Sequence, residues 1–215
     1  LSGLVGSEMC IRDRIKSMNI NDIKKEFPIF DDKIQNNDLV YLDSANSSQK
    51  PRVVVDRIYD FYTKEFSNVG RSVHYLAVAA TNLYEQTRVS VQKYINAKDK
   101  DEIVFTKGAT EAINLVANTF GQKYLSEGDE VLLTELEHHS NYVPWHFLRK
   151  AKNIKIEFAE INDDGEVTLE AIEKKITNKT KIISISHLSN VTGAILPIKE
   201  IVQLAHSKNI PVLID

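Results

Sequence analysis

An α/β fold, a mostly parallel sheet flanked by helices, is what the second half of this sequence predicts. Three observations carry that expectation. From Glu102 onward short apolar runs alternate with segments of helical period, the pattern of parallel strands joined by crossover helices. Three of the runs are followed by small polar or imidazole residues, "KGATEA", "LEHHSN" and "HLSNVTG". The last run, "PVLID", delivers a carboxylate, Asp215. In such sheets ligands bind beyond the carboxyl ends of the strands, so the four segments are expected to share one rim.

Composition sets the frame for this reading. With 215 residues, 42% hydrophobic, 27% charged and a net charge of −3, the chain reads as a soluble globular protein with a substantial core. Basic residues are scattered through helical segments such as "IEKKITNKTK", which argues against a nucleic-acid footprint. No apolar run approaches the roughly 18 residues that span a bilayer, so no membrane partner is expected. A single cysteine, Cys10, excludes an internal disulfide framework and any CxxC metal site.

Element by element, residues 1–17 are set aside as a non-native or disordered leader. "GSEMCIRDR" resembles the conceptual translation of a sequencing adapter, and Met18 is the expected natural start. Residues 18–80 are expected to form an N-terminal arm bordering the site. It comprises a short helix in "NINDIKKEF" closed by Pro28, an extended "LVYLD" at 39–43, and a helix opened by Pro51. That helix should bury Val54, Ile58, Phe61 and Tyr62, which recur at three to four residues. Residues 81–215 are expected to be the first part of a larger domain. It would open with a helix over 81–95, with Leu83, Tyr84, Val91, Tyr94 and Ile95 inward, followed by strands at 102–106, 130–134, 155–159, 181–186 and 211–214.

The rim residues have chemistry to offer. "TKGATEA" puts Gly108, Ala109 and Thr110 at a strand-to-helix turn, where free amides and a hydroxyl suit a phosphate. Equally, Thr110 could be a simple N-cap, and the motif is not a Walker loop, since its Gly-Lys-Ser/Thr ending is absent. His138 could stack on a heteroaromatic ring. Adjacent His138 and His139 diverge and lack further ligands nearby, so no metal site is expected. Asn190 either contacts a ligand or stabilises the turn before Gly193. Asp215 could serve as a magnesium ligand of a nucleotide hydrolase, but the matching phosphate loop is missing. Thr110, His138, Asn190 and Asp215 together match the needs of pyridoxal phosphate, whose ring nitrogen a carboxylate would keep protonated. They are expected to surround one cavity.

Six blocks, "YLDSANSSQKP", "NVGRSVH", "TKGATEAINLVAN", "ELEHHSNYVPW", "SHLSNVTGAILPI" and "VLID", resemble successive blocks of the SufS-type cysteine desulfurases. These are fold type I pyridoxal-phosphate enzymes of the class V aminotransferase group. By position, the resemblance implies that Ala109 and Thr110 hold the cofactor phosphate, His138 stacks on the ring and acts in catalysis, and Asp215 pairs with its nitrogen. Asn190 would contact cofactor or substrate. Ala45 and Asn46 would border the substrate pocket, and Arg71 would lie near a dimer-shared entrance. Two departures touch the pocket edge: Gly70, Ser72 and Val73 alter the "NVGRSVH" block, and Asn46 replaces a second alanine.

The resemblance further implies a cytoplasmic homodimer that converts L-cysteine to L-alanine and hands sulfur to an acceptor protein of iron-sulfur cluster assembly. The family pattern continues past Asp215 to a Schiff-base lysine and a nucleophilic cysteine, so the 215 residues alone are expected to be inactive. Another fold type I enzyme, such as a selenocysteine lyase, kynureninase or aminotransferase, is the alternative. A non-catalytic binding fragment is a third reading.

Overall fold

The computed structural model describes residues 19–215, and the expected leader with Cys10 and Met18 lies outside them. Internal contacts divide the chain into two compact units, with the boundary after Phe105. The boundary expected after residue 80 falls inside a continuous helix, because Ala79-Ala80-Thr81 contains nothing that breaks one.

In the first unit, Asn19 caps helix α1 (Ile20–Lys25) by accepting the Asn21 amide. A two-strand hairpin follows, β1 (Lys33–Ile34) against β2 (Asn37–Asp38). Its turn residues Gln35 and Asn36 both have positive φ, 53° and 66°, which matches the twist of the strands it joins. The segment at 39–43, expected to be extended, belongs to no helix or strand and has no ladder partner among the described residues. Pro51 precedes α2 (Arg52–Asp60), and a π turn carries it on to Glu65. The face expected to be buried is open: Ile58 and Tyr62 are 53% and 65% exposed. Helix α3 (Tyr75–Tyr94) starts six residues earlier than the pattern indicated, because His74 caps it. Its buried positions are Ala77 and Ala80, whereas Tyr94 and Ile95 are exposed.

"EIVFT" departs from expectation most clearly, since residues 102–106 form no strand. Ile103 is extended and buried, but its carbonyl accepts the Arg88 guanidinium instead of a neighbouring strand. A strand needs a ladder partner, and this segment has none among the described residues.

The second unit is the predicted α/β layer structure. Helix α4 (Ala109–Val116) runs through a π turn into a last helical turn at Gln122–Tyr124. Then follow β3 (Glu130–Thr134), α5 (His139–Lys152), β4 (Lys155–Ala159), α6 (Leu169–Lys175), β5 (Thr180–Ile185), α7 (Ile198–Ser207) and β6 (Val212–Ile214). The four strands form one parallel sheet in the order β4-β3-β5-β6. Both faces are covered. Leu132, Ile183 and Ile185 pack with Ile172 of α6 and with Ile201 and Ala205 of α7. Val131, Leu133 and Ile182 pack on the opposite face with Ala117, Leu125, and Trp145 and Leu148 of α5. Burial on both faces explains why the strand sequences read as apolar runs.

Candidate active site at the carboxyl rim of the sheet

His138, Asn190 and Asp215 follow β3, β5 and β6, three consecutive neighbours of a parallel sheet, and so stand on one rim. Each is held by its backbone. His138 is the N-cap of α5: its Nδ1 accepts the Ser140 amide at 3.2 Å and lies 2.8 Å from the Ser140 hydroxyl. The ring plane is inclined 62° to that of His139 at 6.0 Å, so the two imidazoles diverge. Asp215 extends the β5–β6 ladder by one residue. Its amide donates to Ile185 O, and its carbonyl accepts the His187 amide, both at 2.9 Å.

Asn190 lies at the tip of a loop closed by the Leu188–Ile195 bridge. Buried Ser189 shapes that loop, accepting the Val191 and Thr192 amides on its hydroxyl at 3.3 Å, and Gly193 turns it at φ 75°. The asparagine side chain is exposed instead of being consumed in the turn.

Ala109 and Thr110 occupy the first two positions of α4, which packs against α5. The N-cap is Gly108, which provides no side-chain cap, so Thr110 is not the cap that its sequence position allowed. Glu111 reaches back to the Lys107 amide at 2.6 Å. No side chain among the described residues caps the leading amides of α4, and Thr110 adds a hydroxyl to that first turn. An uncapped helix start with a hydroxyl fits a phosphate group.

Ala109, Thr110, His138, Asn190 and Asp215 are all exposed, so the four residues expected to surround one cavity lie open at the surface. Two clefts, of about 260 and 530 Å³, are lined by other residues. Ala45, Asn46 and Arg71 belong to the first unit. Tyr41 donates to Ser47 O at 2.5 Å, and Asn46 donates to Asp43 Oδ2 at 3.2 Å, which together hold the turn carrying Ala45 and Asn46. Next to Arg71, the Gly70 amide is tied to Thr81 Oγ1 of α3 at 3.1 Å.

Beneath the rim lies a polar cluster that the sequence reading missed. The Glu137 carboxylate accepts the Thr134 hydroxyl at 2.6 Å and the Ser186 amide at 3.1 Å on Oε1. Its Oε2 accepts Asn141 Nδ2 at 2.6 Å and the Ser186 hydroxyl at 2.8 Å. Asn141, fully buried, accepts the Ser184 hydroxyl at 2.5 Å and the Trp145 indole at 3.3 Å on Oδ1. Two signals were available: Glu137, Asn141 and Trp145 recur at helical spacing, and "ISIS" alternates so that Ser184 and Ser186 share one face.

The aminotransferase class-V family model matches residues 40–215. The chain belongs to the aminotransferase class-V family. This class-V chain is 45% identical over 198 residues to a probable cysteine desulfurase of Halalkalibacterium halodurans, covering 92% of the chain and 49% of that protein. Among solved structures it resembles the apo cysteine desulfurase of Thermococcus onnurineus NA1, with a TM-score of 0.83 and 35% identity over 93% of this chain and 48% of that one. It also resembles SspA in complex with cysteine, with a TM-score of 0.74 and 26% identity over 82% of this chain and 50% of that one. The class-V chain spans at most about half the length of the curated relatives it matches. Among the described residues no helix is long and apolar enough to cross a membrane.

Proposed function

We propose that the protein to which these residues belong is a pyridoxal-phosphate-dependent cysteine desulfurase, and that residues 81–215 are part of its cofactor-binding domain. The observation that supports this most is the succession of His138, Asn190 and Asp215 beyond three adjacent parallel strands of a class-V chain. When bound, pyridoxal phosphate supplies an electron-withdrawing ring that stabilises negative charge at the α-carbon of an amino acid.

The chain's own residues would bind and tune that ring. Ala109 and Thr110 would hold the phosphate with the free amides of α4 and one hydroxyl. His138 would lay its imidazole on the ring face, its orientation fixed by Ser140. Asp215 would hold a proton on the ring nitrogen by charge pairing. Asn190 would donate to an oxygen of cofactor or substrate, while Ala45, Asn46 and Arg71 would shape the entry of L-cysteine. The wider reading includes a homodimer in the cytoplasm that passes sulfur to an acceptor protein of iron-sulfur assembly by the SUF route. None of these 215 residues is assigned as the sulfur-accepting thiol or the covalent lysine, so the chain by itself is expected to bind without turning over.

The test is Asp215→Asn in the full-length protein, with alanine release from L-cysteine measured at saturating cofactor. A neutral amide cannot hold the ring nitrogen's positive charge. Cofactor content should therefore be preserved while the barrier rises by about 3 kcal/mol, on the order of a hundredfold in rate. An unchanged rate in the cofactor-loaded variant would reduce Asp215 to a strand terminator and remove the electronic part of the proposal.

A further inference from the structure

Hydrogen bonds beneath the rim run in one direction only. An indole N–H can only donate, so the oxygen of Asn141 must face Trp145 and its amide nitrogen must face Glu137. The Ser186 backbone N–H is likewise a donor without alternative. Both oxygens of Glu137 are therefore compelled to accept, one from each side. No buried side-chain polar atom among the described residues lacks a partner, so the arrangement has no spare site into which a reversed bond could turn.

His138 is constrained in the same way. The Ser140 N–H donates to its Nδ1, which leaves the proton of the neutral ring on Nε2. The Asn141 amide donates to the His138 carbonyl at 2.9 Å, so residues 137–141 are closed by both main chain and side chain. Pinning Asn141 fixes the rotational phase of the first turn of α5, and with it the Ser140 amide that sets the imidazole. Through Ser186 the same carboxylate holds the segment leading from β5 to the Asn190 loop.

We propose that Glu137, acting through Asn141 and Ser186, is a positioning residue that sets the ring orientation and tautomer of His138. Its role in cofactor binding rests on the pyridoxal-phosphate reading above, whereas its hold on His138 does not. Fixed bond directions mean that single and double exchanges should behave differently. In Glu137→Gln the new amide nitrogen meets donors on whichever side it turns, and in Asn141→Asp two carboxylates face each other. Combining the two repairs both faults. The introduced glutamine then donates to the introduced aspartate and, on the same side, to the Ser186 oxygen, while its carbonyl accepts Thr134 and the Ser186 amide. The aspartate still accepts from Trp145 and Ser184, and net charge is unchanged.

The experiment compares the full-length protein with E137Q, N141D and the E137Q/N141D double variant, with histidine 15N-labelled. Imidazole nitrogen shifts of His138 are recorded without cofactor, and pyridoxal-phosphate affinity is measured separately by absorbance. We expect one Nε2–H species in the parent and a second His138 species in each single variant. Cofactor affinity in the singles should fall about tenfold, roughly 1.4 kcal/mol. The double variant should return both readouts to within about twofold of the parent. Parent-like His138 signals in E137Q, or a double variant no better than the worse single, would overturn the proposal. Should E137Q fail to fold, Ser186→Ala removes one of the four donors and keeps the carboxylate. It should perturb the same His138 signals to a smaller degree, and silence there would equally overturn the proposal. A parent protein that binds no pyridoxal phosphate, but whose His138 responds to E137Q and is rescued by the swap, would sink the cofactor reading and leave the positioning role standing.

Discussion

Large apolar side chains have opposite fates in the two units. In residues 106–215 Trp145, Leu132, Leu133 and Ile183 are fully buried, because a parallel sheet supplies two faces and four helices close on them. In residues 19–105 Tyr59, Tyr62 and Phe66 are 66%, 65% and 59% exposed, and only Ala77, Ala80 and Ile103 are buried. Their helical periodicity is as clear as that of α7. The difference shows that an apolar stripe establishes a helix and a face, but burial depends on a second layer, and residues 19–105 hold none of their own.

The strongest way to test this contrast is to empty the second unit's core. Trp145→Ala should cost about 3–5 kcal/mol in urea unfolding, combining a lost ring, a cavity and the loss of the indole hydrogen bond to Asn141. A cost near that of a surface substitution would show that the unit is not cooperatively packed. Next come the caps. Thr168→Ala removes the bond from the Ala171 amide at the start of α6, whose Ile172 is fully buried, and should cost about 1 kcal/mol. Asn19→Ala, at the start of a helix without a buried residue, should cost visibly less in the same assay. On the exposed face of the first unit, Tyr62→Ser should stay within about 0.5 kcal/mol. A larger loss would mean that the face is covered in solution.

Smallest is a surface ion pair of the second unit. Lys175 donates to Glu160 at 2.8 Å, which holds the Glu160 carboxyl below its ordinary value and the Lys175 ammonium above its own. A depressed carboxylate stabilises above its unfolded pKa and loses that contribution as pH falls through the folded one. A raised lysine stabilises below its unfolded pKa and loses that as pH climbs through the folded one. Lys175→Met should therefore lower Tm slightly at neutral pH, where both charges are present, and the difference from the parent should fade at the acid and alkaline ends of a Tm-against-pH profile. A difference that grew toward the acid or alkaline end would contradict that assignment.

How much could be read in advance follows from the same physics. Strands at 130–134 and 155–159 sit where their apolar runs lie, and 180–185 and 212–214 differ from expectation by only a residue or so at the ends, since double-sided burial leaves little freedom in such runs. "EIVFT" has the same composition and is not a strand, because pairing is a property of neighbours that no local pattern contains. Rim positions of His138, Asn190 and Asp215 were legible because parallel topology sends every strand end to one side. Glu137 was not, since a carboxylate between a strand and a helix reads as a loop residue until "ISIS" supplies the hydroxyls it meets. Ala45, Asn46 and Arg71 came from resemblance alone, and their turns carry no local signature of a pocket.

Trp145 has a further use, as a clock. It is the only tryptophan in these 215 residues, and its indole joins a cluster whose members come from β3, α5 and β5, with Glu137 and Ser186 separated by 49 positions. Contacts across such separations form late, after the costly closure of long loops in a parallel sheet. The fluorescence of Trp145 during refolding should therefore lag the helical signal, and the moment it settles marks when the strand ends beneath the rim have locked together.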